Sequence, residues 1–201
     1  MQREIIQNWA HTLDMTLRAH YGATEGKAIF KLHSHTFSSV YQEKFDPEVA
    51  VLDIVHVDSL QNKAKVALNL YKEESGDLRF KLYHPSSPLP LSDILPVLEN
   101  FGLKVIEEIP YRLSVGNTKS LVWIHDFGLV VRSGVFVDIA KVKPLFENAL
   151  HCVLKSEMEN DGFNRLIIAA GLNSHQIFLL RGYCKYLLQI GIPYSQSYLE
   201  N

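Results

Sequence analysis

No apolar run in these 201 residues approaches the roughly 18 residues that a membrane-spanning helix needs, and the opening stretch, residues 1–8, is polar and unlike a signal peptide. The compartment expected by default is the cytoplasm. Cysteine is scarce, with only Cys152 and Cys184, and both fall on apolar stripes of predicted helices. In that setting reduced core thiols are the expectation, not a disulfide. An excess of either charge is also missing: 20 Lys and Arg stand against 22 Asp and Glu, a net charge of −2, with both signs scattered along the chain. That leaves no electrostatic footprint for a nucleic acid or an anionic membrane. There is no CxxC, HExxH or GxSxG, and no GxGxxG with a following acidic residue. No catalytic, cofactor-binding or metal-binding residue is therefore assigned, and nicotinamide binding is not expected of this chain.

What the chain does have is enough hydrophobic surface, 47% of its residues, to bury the core of one large or two small domains. Ile5, Trp9, Leu13 and Leu17 recur every four positions up to Gly22, which predicts a helix closed by a glycine. A second helix is predicted over 27–41, stopping before Asp46-Pro47, a cap residue followed by a proline suited to a first helical turn. Over 48–60 the cap argues for helix, while Val49, Val51, Ile54, Val55 and Val57 would serve a strand equally well. We read helix there.

The period then changes. Val66, Leu68 and Leu70, and after Glu74-Ser75-Gly76-Asp77 also Leu78, Phe80 and Leu82, alternate with Ala67, Asn69 and Tyr71 and with Arg79, Lys81 and Tyr83, as in a β-hairpin. Ser92 is expected to cap a short helix carrying Ile94, Leu95, Leu98 and Phe101 on one face, with Pro96 in its opening turns and Gly102 at its end. Two strands follow, 104–115 and 121–131, joined by Gly116-Asn117. From Asp138 the helical period returns with Val142, Leu145, Phe146, Ala149, Val153 and Leu154. A last helix from Ser174 carries Ile177, Phe178, Leu179, Leu180, Tyr183, Cys184, Leu187 and Leu188 before Gly191 and Pro193. So wide an apolar face needs something to cover it. There is no low-complexity segment, Pro/Ser linker or internal repeat, so the boundaries rest on the changes of period: a helical segment 1–45, an α/β module 46–133, and a helical segment 134–201.

Three features imitate chemistry. His125-Asp126-Phe127-Gly128 holds the letters of the kinase magnesium motif, but no phosphate loop, strand lysine or catalytic-loop signature accompanies it. His33 and His35, two apart on a predicted helix, point in different directions and are expected to face solvent. Glu157, Glu159, Asp161, Asn164 and Arg165 are the densest polar cluster. They are either a binding site or, the reading we favour, a junction in which Asn160 and Asp161 end one helix and start the next while Arg165 pairs with a carboxylate.

Three stretches carry a family resemblance: residues 90–113 (PLSDILPVLENFGLKVIEEIPYRL), 122–129 (VWIHDFGL) and 157–200 (EMENDGFNRLIIAAGLNSHQIFLLRGYCKYLLQIGIPYSQSYLE). They resemble the large NAD-specific glutamate dehydrogenases of bacteria in the region shortly before the catalytic domain, through almost the whole chain and most weakly before Tyr41. The resemblance implies an α+β fold: a ferredoxin-like, ACT-like antiparallel sheet with helices, flanked by N-terminal and C-terminal helical segments. It also implies that the catalytic lysine, carboxylate and NAD-binding domain lie farther toward the carboxyl terminus and are outside this chain. The segment would then be a non-catalytic structural or regulatory part of an enzyme that oxidises L-glutamate with NAD. Its expected partners are the remainder of the dehydrogenase and its other subunits, with an amino acid as a possible effector. The alternative is a free-standing ACT-like amino-acid sensor, resting on fold analogy alone.

Overall fold

In the computed structural model the described residues are 2–61, 64–116, 120–132, 134 and 136–200; of residues 2–7, 61 and 197 only the backbone is described. The fold is α+β, with four strands in the order β1-β2-β4-β3 and helices at both ends. The elements are α1 (Gln2–Tyr21), α2 (Ala23–His33), α3 (Ser39–Lys44), α4 (Pro47–Gln61), β1 (Ala67–Lys72), β2 (Leu78–Pro85), α5 (Leu91–Asn100), β3 (Leu103–Val115) and β4 (Ser120–Val131), then α6 (Ile139–Leu154), a 3-10 turn (Gly162–Asn164), α7 (Arg165–Ala170), α8 (Ser174–Gln189) and α9 (Gln196–Glu200). Two compact units share the strands: Met1–Leu68 with Leu82–Pro88 and Ile109–Asp126, and Asn69–Lys81 with Leu89–Glu108 and Phe127–Asn201.

The first unit is built on an aromatic core. Trp9, Leu13 and Leu17 of α1 are buried, as their four-residue spacing requires, while the side chain of Ile5 lies outside those described. Trp9 Nε1 donates to the Phe45 carbonyl at 2.8 Å, and Phe37, Tyr41, Phe45 and Tyr111 pack ring against ring at 4.6–5.6 Å. The single helix expected over 27–41 is instead two. α2 stops at His33 and α3 restarts after Ser38, whose hydroxyl accepts from the Tyr41 amide at 3.4 Å. The break lets Thr36 and Phe37 turn into the core, and Ser34, whose hydroxyl donates to the Lys31 carbonyl, and Ser38 supply the local hydrogen bonding that competes with helix. Residues 48–60 are helical. Ala50, Val51, Ile54, Val57 and Leu60 are buried at successive spacings of one, three, three and three, so packing overrides the strand preference of the β-branched residues.

In the second unit Phe146 of α6 sits edge-on to Phe80 of β2 and Phe101 after α5, with centroids 5.4 and 5.2 Å away, and Phe127 of β4 stacks on Phe80. Ile94, Val97, Leu98 and Phe101 are buried, but Ser92 is not the cap. α5 begins at Leu91 after Pro90, with no side-chain cap, and Ser92 hydrogen-bonds to Asp93. Proline fixes a helix-compatible entry two residues earlier than a serine cap would. Gly102 ends the helix region at φ 77, a conformation that favours glycine. The hairpin alternation of β2 does not become alternating exposure: Leu78 to Tyr83 are all buried, Arg79 and Lys81 included, because this inner strand is covered on both faces. The β3–β4 connection starts at Gly116 (φ 62), and Asn117 lies outside the described residues.

Leu98 is fully buried in this unit, so Leu98→Ala is expected to destabilise the chain by about 2–5 kcal/mol, the lost transfer energy plus a cavity. Urea melts check this. A change below about 0.5 kcal/mol, the range of surface sites, would contradict the packing of α5.

Candidate interaction surface

The sequence candidates separate once placed. His125-Asp126-Phe127-Gly128 lies inside β4 and is buried throughout, so these residues are sheet and not a loop that grips a metal. A Cβ at Gly128 would come within 3.3–3.4 Å of Ile106, Arg79 and Glu107, which explains the glycine by close packing. His35 faces solvent as expected. His33 does not: it is buried, with Nε2 3.1 Å from Asp58 Oδ1, because α2 ends there and the chain turns over it. Cys152 is half-buried, Cys184 is buried and both are free thiols. Among the described residues no group of three or more His, Cys, Asp or Glu could hold a metal ion, and no helix is long and apolar enough to cross a membrane.

Sequence reasoning missed one buried carboxylate. Asp53 of α4 is fully buried and accepts hydrogen bonds from the hydroxyls of Tyr83, at 2.6 Å, and Tyr41, while His56 stacks on the Tyr83 ring at 4.9 Å. The available signal was an acidic residue set among Ala50, Ile54 and Val57 on the apolar side of a helix. Its phenol donors make it a lock within the first unit's core.

The polar cluster at 157–165 is a junction, and an arginine outside that stretch organises it. Asp161 caps the 3-10 turn by accepting from the Phe163 amide at 3.1 Å. Both its oxygens also receive the Arg181 guanidinium, from Nε at 2.6 Å and Nη2 at 2.8 Å, the parallel geometry that makes Arg–carboxylate pairs strong. Arg181 Nη2 donates further to Asn164 Oδ1 at 3.1 Å, and Asn164 Nδ2 donates to the Glu159 carbonyl at 3.0 Å. Burial by itself would lower the Arg181 pKa, but the bonds and charge of Asp161, with Glu159 and Glu200 behind it, hold it above the ordinary value. Lys185 adds an exposed pair to Glu159 at 2.6 Å. Arg165 donates from Nε to the Gly162 carbonyl at 2.9 Å. Arg181, which grips Asp161, projects inward from α8 in line with Ile177 and Cys184.

That inward line is narrow. α8 is started by a capping box between Asn173 and Gln176 and buries only Ile177, Arg181 and Cys184. The rest of its apolar surface stands open: Phe178 is 65% exposed, Tyr183 67% and Tyr186 60%, and Leu179, Leu180, Leu187 and Ile190 are exposed beside them. Beyond α8, Tyr194 and Tyr198 are exposed too, stacked on each other at 4.7 Å. The Arg181 clamp thus fixes the orientation of a helix that presents aromatic residues outward. Contiguous exposed apolar surface of this kind marks sites of association. The same unit holds a cleft of about 340 Å³ with Phe101, Val131 and Ile168 on its walls, and Glu99 paired to Arg132 at 3.0 Å among its lining residues.

Comparison with known proteins gives the same assignment from three parts of the chain. Residues 16–60 match the family model of glutamate dehydrogenase helical motif 2, residues 65–142 that of the glutamate dehydrogenase ACT3 domain, and residues 158–201 that of helical motif 3. The NAD-specific glutamate dehydrogenase of Pseudomonas aeruginosa is 34% identical over 207 residues, covering 100% of this chain and 13% of the relative. That of Halomonas elongata is 35% identical, covering 98% and 12%, and that of Mycobacterium tuberculosis is 30% identical, also covering 98% and 12%. The chain therefore spans about an eighth of the length of these curated relatives. It belongs to the family of large NAD-specific glutamate dehydrogenases, as the segment made of helical motif 2, the ACT3 domain and helical motif 3.

Proposed function

We propose that this chain is a non-catalytic structural and regulatory segment of a cytoplasmic NAD-dependent glutamate dehydrogenase, an enzyme converting L-glutamate, NAD and water to 2-oxoglutarate, ammonium and NADH. Its contribution is to dock: the open aromatic face of α8 and α9 packs on the remainder of the longer polypeptide or on its other subunits. The observation that carries this reading is the exposure of Phe178, Tyr183, Tyr186 and Ile190 on a helix held rigidly from behind by Arg181. The length of the relatives supports it, since about seven-eighths of each lies beyond the matched segment and offers the covering surface. Chemistry and NAD binding would belong to those other parts.

The chain alone is expected to produce no NADH from glutamate and NAD and to show no saturable NAD binding in a calorimetric titration. Turnover, or binding in the micromolar range, would overturn the non-catalytic assignment. A second reading, an amino-acid-sensing module, is favoured by the cleft beside Phe101: apolar walls suit a side chain, and Arg132 and Glu99 offer opposite charges to a carboxylate and an ammonium. Titrating the chain with the common amino acids decides it, and Arg132→Ala would abolish any binding that uses this cleft.

A further inference from the structure

We draw no further inference here: the strongest candidate, the cleft of about 320 Å³ between the end of α6 and α8 with Cys152, Glu157 and His175 among its lining residues, carries nothing, because Glu159 on its wall is already paired with Lys185 and Arg181 and nothing in the structure shows what would fill it.

Discussion

Replacing Arg181 with methionine is expected to cost about 3–5 kcal/mol of stability, the range for breaking a buried ion pair by removing one partner. Arg181 is 4% exposed and its partner Asp161 is also largely buried, with 14% of its side chain accessible. Methionine roughly fills the volume of the stem but leaves the Asp161 carboxylate without its guanidinium and Asn164 Oδ1 without its donor. The loss is electrostatic in origin and not a matter of cavity size. A matched control follows from that: Arg181→Met combined with Asp161→Asn, which removes the orphaned charge, should recover part of the loss. Lys185→Ala, whose pair with Glu159 is exposed on both sides, should cost well under about 1 kcal/mol. Denaturant melts of the three variants separate these outcomes. A loss below about 1 kcal/mol for Arg181→Met would mean that the guanidinium does not hold the junction.

Much of the fold was legible because period and punctuation agreed. The hairpin, the helix over α5 and the two long strands follow from alternation, from Gly76 and Gly102, and from runs of β-branched residues. At α4 two local signals conflicted and tertiary burial of Ile54 and Val57 settled the matter for helix. Where the reading failed, the deciding interaction was long-range. The break at 34–38 exists because Phe37 has Trp9 and Tyr41 to meet, and His33 is buried by the turn that results. Arg181 was passed over because an isolated arginine on an apolar stripe declares nothing until Asp161 is seen opposite it, twenty residues away. Asp53 was hidden for the same reason, its phenol donors lying 12 and 30 residues off. The open face of α8 was legible, because a helix that is apolar over most of its circumference must find cover somewhere.

That open face gives the second large effect, self-association of the isolated chain. Without the rest of the polypeptide, the apolar surface available to Phe178, Leu179, Tyr183, Tyr186, Leu187 and Ile190 is that of another copy. Burying one such side chain fully contributes about 1.5–3 kcal/mol, so removing two from an interface should weaken association by tens of fold or more. Both substituted positions are exposed, so Phe178→Ser with Leu179→Ser should leave the melting behaviour nearly unchanged while reducing association. Sedimentation velocity across a hundredfold range of concentration tests the docking account most directly. The unsubstituted chain is expected to shift from monomer toward larger species as concentration rises, with the double variant remaining monomeric throughout. A strict monomer for the unsubstituted chain at the highest concentration would contradict the account and favour the self-contained sensor.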